Sequence, residues 1–244
     1  DCPPGSLRFN TDIAKLEYYK GDTIGWVQIE ASHGQLGGGT GSNTGLGVRG
    51  LVGAYNVNGD TIEFLTVSTL GNTQDFGDLT AGRNNPGQQV CNESTMLFMG
   101  GYTPSGWSNI IDFITVATLG NAADFGDLTQ KRMQQSSVNN KIRGITGGGQ
   151  IAPNYTPVNT IDYVTIAQTG NAVDFGDGLT GSFKPSGAQS QTRGLFMGGY
   201  NPTELTTMNF ITMSTLGNTA DFGDLTSTRR AGAGGGNSVR AIYA

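Results

Sequence analysis

Two kinds of segment alternate along this chain: short apolar runs, and stretches made almost entirely of Gly, Asn, Ser, Thr and Gln. The apolar runs read as strands. VRGLVGAY from Val48, TMLFMGGY from Thr95, IRGITGGG from Ile142, TRGLFMGGY from Thr192 and VRAIYA from Val239 are versions of one strand, each preceded by a small-residue stretch. A second apolar strand follows in the first four, as TIEFLTV, IIDFITV, TIDYVTI and MNFITM. In it Ile62, Phe64 and Thr66 face one way and Leu65 and Val67 the other, since side chains alternate along a strand. Apolar residues on both faces predict a strand covered on both sides.

A Gly-Asn turn comes next, and it opens the most regular element of the chain. GNTQDFGDLT at Gly71 returns as GNAADFGDLT from Gly120, GNAVDFGDGLT from Gly170 and GNTADFGDLT from Gly217. The copies recur at intervals of about 47 to 50 residues, a spacing found among propeller repeats and longer than that of leucine-rich or ankyrin units. One such unit cannot bury both of its faces, so the units must stack. Each reads as a meander of four short strands: small-residue, apolar, aromatic-bearing, and Asp-Phe-Gly-Asp.

On this reading residues 32–80, 81–129, 130–180 and 181–226 are full units, and residues 227–244 supply only the first two strands of a fifth. Residues 1–31 contain what the fifth lacks, a third strand at 16–19 and a fourth at 26–30. The expected fold is therefore all-β: a single-domain, five-bladed β-propeller of four-stranded blades spanning 1–244, its last blade closed by N- and C-terminal strands. Closure removes exposed sheet edges. Residues 7–9 and 16–18 alternate like a hairpin, which places an extra strand outside the standard four. Residues 33–45 read as the first small-residue strand rather than a linker.

Composition changes this picture little. The 40 glycines in 244 residues suit tight reversals. Fourteen Lys and Arg against 19 Asp and Glu give a formal charge of −5, and the cations are scattered, which argues against nucleic acid as a partner. No run of 18 apolar residues exists, so no membrane insertion is expected. Cys2 and Cys91 are too few for a disulfide scaffold, and their pairing stays open.

Chemistry is sparse. His33 is the only histidine, so Ser-His-Asp, Cys-His and His-based zinc sets lack partners, and the chain reads as non-enzymatic with no cofactor. Asp-Phe-Gly matches a kinase metal-binding triplet, but it is repeated four times without the rest of a kinase. The structural reading has Phe filling the space between units, Gly allowing close approach and Asp bonding turn amides. Asp75, Asp78, Asp124 and Asp127 stay as secondary calcium candidates. The loops between second and third strands differ from unit to unit, and loops on a rigid scaffold are where recognition resides. Trp107 with Asn109, Asn154 with Tyr155, and Asn201 form the candidate ligand-binding set, with rings to stack on sugars and amides to bond hydroxyls. The competing reading has Trp107 and Tyr155 packing their own loops or a neighbouring subunit.

Two resemblances sharpen these expectations. Gly100-Gly101, Gly148-Gly149 and Gly198-Gly199, with Tyr18-Tyr19 followed by Trp26, resemble the kelch repeat, although the internal units carry Asp-Phe-Gly-Asp where kelch units carry Trp. PPGSLRFNTDIAKLEYYKGD, followed by the GNxxDFGDLT repeats and RGLFMGGY strands, is similar to virion structural proteins of tailed phages, especially those of marine cyanobacteria. That resemblance implies a virion-surface, extracellular protein: a tail-appendage or fibre adhesin for host surface glycans, or a capsid or tail decoration. Its partners would be other virion proteins and a host glycan. The alternative is a secreted propeller lectin or a carboxylate-dependent glycoside hydrolase.

Overall fold

The computed structural model describes every residue except 1, 11–14, 29–48, 54–58, 68, 85, 93, 179 and 238. The chain divides into two compact units, Asp1–Gly34 and Gln35–Ala244. Among the described residues all regular structure is β-strand, every ladder is antiparallel, and no helix is long and apolar enough to cross a membrane.

The first unit is one sheet in the order β1 (Leu7–Asn10), β2 (Lys15–Tyr19), β3 (Trp26–Gln28). Arg8 Nε donates to Glu17 at 2.7 Å, and its guanidinium lies 4.3 Å from the Trp26 ring centroid. Tyr19 packs against Trp26 with centroids 5.2 Å apart and planes inclined by 49°.

In the second unit, β4 (Arg49–Gly53), β5 (Thr61–Thr66) and β6 (Gln74–Asp78) form a three-stranded sheet. The small-residue strand expected before it, with His33, lies outside the described residues. Then come β7 (Val90–Cys91), β8 (Thr95–Thr103), β9 (Gly106–Thr115) and β10 (Ala123–Asp127), paired in that order. The next sheet joins β11 (Ser136–Asn139) and β12 (Arg143–Gly147) to β15 (Thr160–Thr165) and β16 (Val173–Asp177). Between β12 and β15 a small hairpin, β13 (Gln150–Ile151) and β14 (Thr156–Pro157), is added. β17 (Ser186–Gln189), β18 (Arg193–Met197), β19 (Leu205–Thr212) and β20 (Ala220–Arg229) repeat the meander, and β21 (Gly234–Gly236) with β22 (Ala241–Tyr243) ends the chain. The four-strand meander predicted from the repeat is thus present in three successive units.

One strand pairing differs from the sequence expectation. Closure was to place 16–19 beside the C-terminal strand, but both edges of β2 are taken, by β1 and β3. Among the described residues β22 pairs with β21 alone. The reason is proximity in the chain: β1 returns to β2 across four residues, so its loop closure costs little, and the Arg8–Glu17 pair adds to the ladder.

The core lies between successive sheets. Phe76, Met96, Phe98 and Ile114 form one cluster, Val90, Leu97, Phe125 and Val164 the next, and Val138, Ile145, Phe175 and Met213 a third. Each cluster draws on two units, so neither member is stable in the form seen here without the other.

The GNxxDFGD element makes the junction. Gly120, Gly170 and Gly217 donate their N–H groups to the carbonyls of Phe76, Phe125 and Phe175 in the preceding unit, at 2.9, 2.7 and 2.8 Å. The adjoining Asn121, Asn171 and Asn218 accept through Oδ1 from the N–H groups of Asp78, Asp127 and Asp177. Each Gly-Asn turn therefore fastens onto the Asp-Phe-Gly-Asp strand before it. Gly77, Gly126 and Gly176 make room, because a Cβ on any of them would lie 2.4 Å from the incoming carbonyl oxygen. Phe76, Phe125 and Phe175 are buried, whereas Phe222, in the last copy, is 48% exposed.

A buried ion pair forms a second junction. Arg132, fully buried, donates to Asp162 Oδ2 at 2.9 Å and to the Thr160 carbonyl at 2.6 Å, while Thr129 donates its N–H and hydroxyl to the same carboxylate. Arg83, Asp112 and Thr80 repeat this arrangement one unit earlier. Burial pushes both guanidinium pKa values down, and the facing carboxylates oppose that shift. Cys91 is also withdrawn from solvent chemistry: burial pushes its thiol up to about 11.

Candidate functional site

Two of the described loops joining second to third strands meet, the β8–β9 loop and the one between β12 and β15, through Trp107 and Tyr155. In three units the loop is tied to the connection that leads into the first strand of the same unit. Asn84 pairs with Tyr102, Met133 with Gln150, and Phe183 with Tyr200, each as an isolated antiparallel bridge. The same bond pattern in three units carries the loops at equivalent places, so differences among them are differences of side chain.

Of the five predicted ligand-binding residues, four gather. Trp107 and Asn109 sit two residues apart on β9, hence on one face of the strand. Tyr155 and Asn154 are on the turn of the β13–β14 hairpin. That hairpin carries Tyr155 to Trp107, with ring centroids 5.4 Å apart and planes inclined by 52°. Tyr155 is 59% exposed at a φ of 56°, a conformation uncommon for a bulky residue and held here by the short hairpin. The two rings come from different units and present an aromatic edge to solvent. Asn201 stands apart: its Nδ2 donates to the Gly181 carbonyl at 2.6 Å and its N–H to the Thr203 carbonyl, which makes it a turn lock.

Asp75 Oδ1 accepts from the Gly77 N–H, an Asx-type bond inside the fastener strand. Asp78 and Asp127 contribute backbone N–H and C=O groups to the junctions. Among the described residues no three acidic, His or Cys side chains cluster as a metal site.

The strand-by-strand reading missed a cleft of about 530 Å³ where the connections into β7, β11, β17 and β21 converge. Gln88, Gln89, Gln134, Gln135 and Lys184 supply its polar side chains. Gln134 joins it to the aromatic pair's hairpin, accepting from Gln150 Nε2 at 3.0 Å. The sequence signal was faint: Gln134, Lys184 and Ala231 occupy one position in successive units, all with φ between 55° and 60°. Three different side chains at one strained position gave no motif to find.

A comparison with protein-family models gives no match, and neither does a comparison with curated proteins.

Proposed function

We propose that this chain is a non-enzymatic binding module on the surface of a tailed-phage particle, presenting its loop end to a host surface glycan. The observation that carries the reading is the Trp107–Tyr155 pair, two inclined rings from separate units flanked by Asn109 and Asn154. Exposed aromatic faces beside amides suit sugars, whose apolar face stacks while hydroxyls take hydrogen bonds. The virion assignment rests on the phage-like leader and repeats. Decoration of a capsid or tail is the second reading, favoured by the exposed leucines Leu70, Leu119 and Leu216 at equivalent turns, which suit a protein neighbour.

In the same reading the repeats form a five-bladed, kelch-like ring. Support comes from the two-stranded sheet of β21 and β22. Arg49, Arg143 and Arg193 each lie about 5 Å above a ring on the adjoining third strand, and among the described residues Arg240, at the same position, has none. Beside it a groove of about 790 Å³ is lined by Leu195, Met208, Phe222, Val239 and Tyr243. Glu17 and Tyr18 repeat the acid-aromatic pair of Asp112-Phe113 and Asp162-Tyr163. Closure by them requires β1 to leave the edge of β2.

The test is a glycan array and a host-cell binding assay with the full chain and Trp107→Ala. The expected result is binding that falls about fivefold to tenfold in the variant, the scale of one aromatic stack. Equal binding by both proteins, or binding to empty capsids but to no cell or glycan, overturns the adhesin reading.

A further inference from the structure

We infer that the cleft between the strand connections is a binding site for the carboxylate of an acidic saccharide, a uronate or sialate unit, a reading that rests on the glycan-binding proposal and names its ligand class. The cleft's volume, about 530 Å³, falls in the range of small-ligand sites. Among the described residues its lining contains no acidic residue, although the whole protein carries a formal charge of −5. Among the described residues Lys184 is the single charge there, and it has no ion-pair partner among them. An unpaired ammonium walled by amides is a place for a carboxylate with hydroxyls around it, since the ammonium gives a charge-assisted bond and the amides both donate and accept.

The frame is fixed before any ligand arrives. Lys184 donates its N–H to the Gln134 carbonyl at 2.8 Å, and Ala231 donates to the Lys184 carbonyl at 2.9 Å, linking three units through residues in left-handed conformation. Backbone held in that region at several equivalent points costs stability, and such strain gathers at functional sites. Gln88 and Gln135 are spent on the wall. Gln88 accepts from the Gly187 N–H at 3.0 Å, and Gln135 Nε2 donates to the Pro86 and Met99 carbonyls at 2.7 Å. That leaves Lys184 Nζ, Gln134 Nε2 and the Gln89 amide for a ligand. The Gln134–Gln150 bond runs from this cleft to the hairpin bearing Tyr155, so one oligosaccharide could lay a neutral unit on the rings and an acidic one in the cleft.

The experiment titrates the full chain by calorimetry with tetraglucuronate and a sialate-capped trisaccharide, each against its neutral counterpart. Lys184→Gln copies the residue that Gln134 already places in the same backbone conformation, so folding is preserved. The expected result is preference for the acidic probes, lost about tenfold or more in Lys184→Gln with neutral binding unchanged. Ala231→Lys, which sets a second ammonium at an exposed equivalent position, is expected to tighten the acidic probes. Acidic probes bound no better than neutral ones, or equally by wild type and Lys184→Gln, overturn the inference. If neutral probes still bind and weaken in Trp107→Ala, the inference falls while the glycan reading stands. If no probe binds, both fall.

Discussion

Gly126→Ala is expected to destabilise the protein by about 2–6 kcal/mol, the sum of backbone strain and overpacking at about 1–3 kcal/mol each. Gly126 has a φ of +145°, and a Cβ on it would lie 2.4 Å from the Gly170 carbonyl oxygen. Backbone atoms cannot swing aside as a long side chain can. The clash therefore opens the fastener between two units and exposes Phe125, now 3% exposed. Gly223 in the fourth copy provides the comparison: its φ is +128°, and the nearest atom to a Cβ is Met208 Cε at 4.0 Å. Gly223→Ala keeps the backbone strain and lacks the clash, so it is expected to cost less. Denaturant unfolding of the two variants checks this, and equal losses would show that the Gly-Asn turn does not press on the preceding strand.

Asp162→Ala is expected to cost about 3–5 kcal/mol, because it strands a fully buried guanidinium in a low-dielectric junction. The Thr129 hydroxyl and N–H lose their acceptor in the same step. The protein itself indicates a remedy. One unit on, Ser182 stands where Arg132 does, each carbonyl taking the N–H of a glycine, Gly149 or Gly101, and Asn209 replaces Asp162. The double variant Arg132→Ser with Asp162→Asn is therefore expected to be more stable than Asp162→Ala, since no buried charge is left. Thermal unfolding of single and double variants measures the difference. A double variant as unstable as the single one would mean that the ion pair holds the junction by shape and not by charge balance.

The repeat was legible because its signals are local. Period, alternation and the Gly-Asn turn place β5, β9, β15 and β19 as third strands, and the role foreseen for Phe76, Phe125 and Phe175 between units matches their burial. Asp was expected to bond turn amides, whereas Asp75 accepts from the Gly77 N–H within β6. The Arg83 and Arg132 junctions were not, because each arginine meets its acid about 30 residues away and a scattered cation has no periodic signature. The same limit hid the cleft, which needs residues from four connections. Trp107 and Tyr155 were legible from loop position and side-chain type, but the hairpin that joins them is an insertion the repeat could not specify. Counting strands did not show that β1 occupies the edge of β2 that closure at β22 would use.

Residue-resolved amide hydrogen exchange under native conditions tests the central claim, that each unit is fastened to the one before it through its Gly-Asn turn. In the same profile slow amides at Ala241 and Tyr243, which point away from β21 because Ala244 and Ala233 exchange bonds beside them, report a closed ring, and fast ones a free edge. The decisive amides are those of Gly120, Gly170 and Gly217, on turns that would exchange freely unless Phe76, Phe125 and Phe175 hold them. The account predicts that all three exchange as slowly as the interior strands; exchange at the rate of unprotected turns would contradict it.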